Sequence, residues 1–112
     1  MVGYMLDDAE VIVTAYGASS RITRNAIDAA RSQGIKAGLL RPITLWPFPV
    51  AAFQKYVDVP KAFISVELNA GQMVEDVRLA VNGAKPVYFY GRTGGMTPTQ
   101  KEILDKIKEV LN

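Results

Sequence analysis

Apolar positions along this chain follow two rhythms, short β-branched runs and longer stretches with a helical period, and the two alternate. Glu10-Val11-Ile12-Val13-Thr14-Ala15-Tyr16 is a short β-branched run followed by Gly17, which reads as a buried strand ending in a turn. Ser19 or Ser20 then stands where a helix cap belongs. From Arg21 to Gln33 the apolar residues Ile22, Ala26, Ala29 and Ala30 fall on one helical stripe, and Gly34 supplies the C-terminal cap. The pattern repeats with a strand from Ile35 to Leu40, a short helix over Val50 to Val57, a strand from Lys61 to Glu67 and a helix from Gly71 to Val81. Pro86-Val87-Tyr88-Phe89-Tyr90 is the next strand. Thr97-Pro98-Thr99-Gln100 matches a Thr N-cap with Pro at the first helical position and Gln at the third, ahead of a helix with Ile103, Leu104, Ile107, Val110 and Leu111 on one face.

Strand and helix units joined by right-handed crossovers build a parallel sheet between helix layers, so the fold class is α/β with three layers, α/β/α. No linker or low-complexity stretch interrupts the chain, and residues 1–112 read as one domain. Val2-Gly3-Tyr4-Met5-Leu6 is apolar enough for one more strand. The Asp7-Asp8-Ala9 connection that follows is too short for a crossover and suits a turn between antiparallel neighbours. The expected sheet is therefore mixed and five-stranded, with four parallel strands and one antiparallel edge strand.

Composition narrows the chemistry. With 13 Lys and Arg against 11 Asp and Glu the formal charge is +2, and no basic block or aromatic-basic ribbon suggests nucleic acid as a partner. Cysteine and histidine are both absent, which removes disulfides, thiolate nucleophiles, cluster ligands and the usual His-based catalytic pairs. No apolar run is long enough to cross a membrane and no signal peptide is apparent, so a cytoplasmic location is expected.

Ligands and partners of open α/β sheets collect beyond the carboxyl ends of the strands. Here that rim comprises Gly17 to Ser20, Arg41 to Pro49, Leu68 to Gln72 and Gly91 to Met96. Gly17-Ala18-Ser19-Ser20 reads as a tight turn with a serine cap, or as amides open to an anion, without the Gly-x-Gly-x-x-Gly pattern. Gly91-Arg92-Thr93-Gly94-Gly95 is glycine-rich but lacks a P-loop ending. Pro42, Pro47 and Pro49 stiffen Arg41 to Pro49, so that Trp46 and Phe48 are presented on a rigid arm suited to docking. Glu67 with Asn69 and Gln72 is the best polar constellation, readable as a catalytic carboxylate or as a helix cap with Glu67 bonded to loop amides or Arg92. Asp7-Asp8 invites comparison with the acidic pair of receiver domains but precedes its strand instead of following it. Tyr88 and Tyr90, alternating with Val87 and Phe89, read as ordinary sheet packing.

Three of these segments together, Arg41-Pro42-Ile43-Thr44-Leu45-Trp46-Pro47-Phe48-Pro49, Glu67-Leu68-Asn69-Ala70-Gly71-Gln72-Met73 and Gly91-Arg92-Thr93-Gly94-Gly95, resemble the C-terminal domain of the alpha chain of 2-oxoacid:ferredoxin oxidoreductases. The resemblance covers nearly the whole chain in order and spacing. That domain is similar to the C-terminal domain of transketolase, whose mixed five-stranded sheet has an antiparallel first strand. The resemblance implies a complex that decarboxylates a 2-oxoacid on thiamine diphosphate and magnesium, forms an acyl-coenzyme A and passes electrons through iron-sulfur clusters to ferredoxin. Neither the Gly-Asp-Gly diphosphate motif nor any cluster cysteine occurs here, so no cofactor is expected in this chain and no activity from it alone. It looks like the C-terminal part of a longer alpha subunit, with other domains and subunits of the complex as partners.

The interface candidates on this reading are Arg41, Pro42, Trp46, Pro47, Phe48, Glu67, Asn69, Gly71, Gln72, Arg92, Thr93, Gly94 and Gly95. Without their partner, Trp46 and Phe48 are expected to drive self-association of the isolated chain into a homodimer. The alternative is a stand-alone α/β module that binds a small anionic metabolite at the strand ends. No residue in this chain is assigned to catalysis or to a metal.

Overall fold

The structure, a computed structural model, describes residues 2–15, 18–41, 50–67, 77–79, 81, 85–91 and 99–111. In chain order the elements are β1 (Val2–Tyr4), β2 (Val11–Ala15), α1 (Ala18–Ser32), β3 (Ala37–Arg41), α2 (Val50–Tyr56), β4 (Ala62–Glu67), β5 (Val87–Gly91) and α3 (Gln100–Leu111). Residues 77–79 and 81 are also helical. The strands form one five-stranded sheet in the order β1-β3-β2-β4-β5, parallel throughout except for β1. The mixed sheet and its antiparallel edge strand are as the sequence predicts.

Topology follows from handedness. The step from β2 to β3 runs one way along the sheet and the step from β3 to β4 jumps back across β2, so right-handed crossovers place their helices on opposite faces. The core divides accordingly. On one face Val11, Val13, Leu39, Ile64 and Val66 pack against Ala26, Ile27 and Ala30 of α1 and Ile103 and Ile107 of α3. On the other, Ile12, Leu40 and Phe63 pack against Phe53 of α2 and against Val77 and Val81. All five β2 side chains are buried, as expected of a central parallel strand covered on both faces.

Three local readings are corrected. The antiparallel neighbour of β1 is β3 and not β2, with Gly3 opposite Leu40. Residues 5–9 do not turn tightly between neighbours but cross over β3, placing Leu6 and Ala9 in the second core. Gly38 permits this crossing: a Cβ there would lie 2.7 Å from the Met5 carbonyl oxygen and 3.1 Å from Ala9 Cβ. Met5 takes a positive φ of 58° at the start of the crossing.

The second correction is at α1, which begins at Ala18, so Ser19 and Ser20 lie inside its first turn and are not its cap. Its other end is as expected. Gly34 sits at φ 81°, the Ile35 amide donates to the Ala30 carbonyl at 2.9 Å and the Gly34 amide to that of Arg31 at 3.0 Å, the paired bonds of a Schellman ending. The third is at α3, where Thr99 and not Thr97 is the cap. The Glu102 amide donates to Thr99 Oγ1 at 3.2 Å and the Thr99 amide to Glu102 Oε1 at 3.0 Å, a reciprocal capping box. Tyr90 donates its hydroxyl proton to the second oxygen of Glu102 at 2.5 Å, tying β5 to the start of α3. Glutamate at the third helical position accepts two bonds at once, which Gln100 in the predicted register has no acidic group to match.

Candidate functional site

Because β2, β3, β4 and β5 run parallel, their carboxyl ends share one edge, in the spatial order Arg41, Ala15, Glu67, Gly91. Thr14 lies opposite Leu40, Ala15 opposite Val66, and Glu67 opposite Gly91, so the four ends are level to within a residue or two. Of the next elements in sequence, α1 and α3 lie on one face, whereas α2 and the helical residues 77–79 and 81 lie on the other. Successive strands along the edge therefore send their connections to alternate faces, the geometry that opens a crevice above an α/β sheet.

Of the interface candidates, the structure describes Arg41 and Glu67. Arg41 is the last residue of β3, exposed and paired with Val2, and not the first residue of a free loop as the sequence suggests. Glu67 ends β4. One strand, β2, separates the two, so their Cα atoms stand about 10 Å apart across the edge. Pro42, Trp46, Pro47, Phe48, Asn69, Gly71, Gln72, Arg92, Thr93, Gly94 and Gly95 lie outside the described residues, as does the proposed pairing of Glu67 with Arg92.

What the sequence reading missed is a layer of buried hydroxyls just beneath this edge. Among the described residues, the buried polar side chains are Thr14, Ser19, Ser20, Thr23 and Ser65, all in the last residues of β2 and β4 or the first turns of α1. Thr14 and Ser65 face each other across the β2–β4 pair. Thr23 donates to the Ser19 carbonyl at 2.7 Å, an internal bond of α1. Thr14 Oγ1, fully buried, has no hydrogen-bond partner among the described residues. The signal was present in the sequence as single hydroxyls interrupting Val11-Ile12-Val13-Thr14-Ala15 and Phe63-Ile64-Ser65-Val66.

An orphaned hydroxyl in a dry core carries a desolvation cost of roughly 1–3 kcal/mol. Thr14→Val keeps the shape and removes that cost, so the isolated variant is expected to gain about 1 kcal/mol. Urea unfolding tests this as a rise in midpoint at constant slope. A fall in midpoint would show that the hydroxyl is satisfied in solution.

Among the described residues, the opposite edge of the sheet holds the ion pair with the shortest separation. Arg31, near the end of α1, donates to both oxygens of Asp8, at 2.8 and 3.1 Å, to the Met5 carbonyl at 2.8 Å and to the Ala37 carbonyl at 2.9 Å. These bonds to the Arg31 guanidinium hold the Asp8 carboxyl below its ordinary value of 3.8. Asp7 and Asp8 thus border a shallow hollow of about 490 Å³ with Gly3, Met5, Leu6 and Tyr56, at the end remote from the rim, and Asp8 serves as a clamp for the β1–β2 crossing.

Among the described residues no three acidic or other metal-binding side chains converge. An iron-sulfur cluster needs thiolates, and the sequence has no cysteine. The donors buried beneath the edge are neutral hydroxyls, suited to accepting and donating hydrogen bonds and not to transferring protons at neutral pH.

The family model for pyruvate:ferredoxin oxidoreductase core domain II matches residues 9–103. Subunit VorB of ketoisovalerate oxidoreductase from Methanothermobacter thermautotrophicus is 48% identical over 96% of this chain and 30% of its own length. Subunit KorA of 2-oxoglutarate synthase from Methanothermobacter marburgensis is 37% identical over 90% of the chain and 27% of its own length. The chain thus spans less than a third of the curated relatives it matches. Among solved structures, 2-oxoglutarate:ferredoxin oxidoreductase from Magnetococcus marinus, bound to 2-oxoglutarate, coenzyme A and succinyl-CoA, superimposes with a TM-score of 0.81 and 27% identity over 94% of this chain and 18% of that one. A split-gene transketolase, an inactive beta4 tetramer, gives a TM-score of 0.79 at 15% identity over 98% of this chain and 41% of that one, a likeness of fold.

Proposed function

Because the chain belongs to the pyruvate:ferredoxin oxidoreductase core domain II family, we propose that it is a single docking and assembly domain, the C-terminal part of the alpha subunit of a 2-oxoacid:ferredoxin oxidoreductase. The complex would decarboxylate a 2-oxoacid oxidatively to an acyl-coenzyme A and pass the electrons to ferredoxin. The observation that carries the reading is the pairing of 48% identity across nearly the whole chain with coverage of only 30% of the relative. The absence of cysteine removes the ligands of an iron-sulfur cluster, which supports a reading in which this chain contributes surface while thiamine diphosphate, magnesium and clusters are held by other domains and subunits. The same comparisons favour this reading over a free-standing module for an anionic metabolite. We place the complex in the cytoplasm.

On this reading Arg41, Glu67 and Arg92, with the proline arm carrying Trp46 and Phe48 and the loops carrying Asn69, Gly71, Gln72, Thr93, Gly94 and Gly95, hold the carboxyl edge against the neighbouring domains. Charged hydrogen bonds at such a boundary contribute to assembly and leave the reacting atoms untouched. In the intact complex, Glu67→Gln and Arg92→Ala are expected to weaken association about tenfold, the equivalent of 1.4 kcal/mol. Turnover per assembled complex is expected to stay within about twofold of wild type. Analytical gel filtration with steady-state assays at saturating subunit concentration measures both. Loss of turnover by orders of magnitude in a fully assembled complex would move these residues into the catalytic machinery.

A further inference from the structure

The two edges of the sheet are not alike. At one, β1 is only three residues long and contains a glycine, so it offers little to an incoming strand. At the other, β5 is the five-residue run Val87-Tyr88-Phe89-Tyr90-Gly91, without lysine, proline or bulge to protect it. Among the described residues β4 is its sole neighbour. Tyr88 and Phe89 are 40% and 38% exposed, where alternation alone would bury one of them.

The free side of β5 can be assigned from the ladder. The Phe63 amide donates to the Pro86 carbonyl at 2.9 Å, and Phe63 is registered on Val87, so residues 86, 88 and 90 turn their main-chain groups toward β4. Val87, Phe89 and Gly91 therefore turn theirs outward. An antiparallel strand centred on Phe89 would meet all three.

We propose that β5 is the contact surface for a second copy of this chain, the two strands pairing antiparallel about a two-fold axis at Phe89. In that register Phe89 pairs with Phe89 of the other copy, and Val87 with its Gly91, each pair exchanging two main-chain hydrogen bonds. Tyr88 stands opposite Tyr90 of the other copy on the face that carries α3, and the two Phe89 rings meet on the face that carries α2. The sheet becomes continuous through both copies.

Charge supports the same occupant. On the α3 face, Lys106 Nζ lies 5.8 Å from the Tyr88 ring centre, and Glu102 accepts the Tyr90 hydroxyl proton. Lys106 thus sits level with Tyr88, and Glu102 level with Tyr90. Lys106 already pairs with Glu109 of its own helix at 3.7 Å, and pairing Tyr88 with Tyr90 of the other copy brings it level with a second carboxylate, the other copy's Glu102, and the reverse, so the symmetric contact adds an opposite charge to each lysine. This surface is the lateral edge of the sheet, and among the described residues it meets the carboxyl edge only at Gly91.

The test is sedimentation of the 112-residue chain across the micromolar range. Wild type is expected to pass from monomer to dimer. Phe89→Pro deletes the central outward amide without removing a bond to β4, and is expected to abolish the dimer. Lys106→Glu, which leaves the strand intact, sets like charges together twice and is expected to raise the dimer dissociation constant at least about tenfold. Circular dichroism confirms that each variant is folded, and Lys106→Glu carries the test if Phe89→Pro is not. A wild-type chain that stays monomeric at the highest concentration overturns the proposal. So does a dimer indifferent to Lys106→Glu, which would point to another surface.

Discussion

Phe63→Ala is expected to destabilise the isolated chain by about 3–5 kcal/mol, a large part of the roughly 5–15 kcal/mol that holds a domain together. Phe63 lies on β4, between the central strand β2 and β5, and is fully buried. Its ring stands 6.2 Å from that of Phe53, centre to centre and tilted by 45°, and this contact is the middle of the core on the α2 face. Few side chains could move into the vacated space, because α2 is a short helix and is already packed through Phe53. Phe63→Leu, which leaves a smaller void, is expected to cost about 1–2 kcal/mol. Urea denaturation measures both. A loss under about 1 kcal/mol for the alanine variant would mean that this face relaxes freely and that α2 is not seated as described.

Gly38→Val is expected to detach the N-terminal strand. The Cβ of any residue at position 38 would lie 2.7 Å from a main-chain oxygen of Met5 and 3.2 Å from Leu6 Cδ2, so the crossing segment must lift from the sheet. Overpacking of this kind costs about 1–3 kcal/mol, and here the strain falls on residues that join β1 to the rest. Hydrogen exchange is the direct readout. The amides of Val2–Tyr4 should lose protection by an order of magnitude or more while those of β2 and β4 keep theirs, the signature of a local opening. Uniform loss of protection would show that the crossing and the core unfold together.

These two variants also mark how far the sequence could be read. The βα alternation, the mixed sheet and the Gly34 ending were legible because each rests on a local signal: β-branched runs, a helical stripe, a glycine after the last turn. The pairing of β1 was not. Which strand it joins is decided by whether residues 5–9 can pass over β3, and that depends on the absence of a side chain at Gly38, far away in sequence. The cap of α3 was misplaced because two overlapping Thr motifs satisfy the same pattern. Tyr90 decides between them by reaching Glu102 from another element.

At the candidate site, sequence reading placed Arg41 and Glu67 at the correct edge, since strand ends follow from the strands themselves. It passed over Thr14 and Ser65. A hydroxyl in a β-branched run looks neutral until its burial and its partners are known.

The packing of α3 beside α1 has a bearing on how the chain is made. Ile103 and Ile107 belong to the same apolar cluster as Ala26, Ile27 and Ala30, so a helix translated late in this domain covers one translated early. While a ribosome works through β3, β4 and β5, the stripe of α1 beside the future seat of α3 has only the growing sheet to shelter it. Nascent chains halted before Gln100 should therefore hold a sticky, half-roofed intermediate and depend on chaperones. Those extended through Leu111 and clear of the exit tunnel should close in a single step.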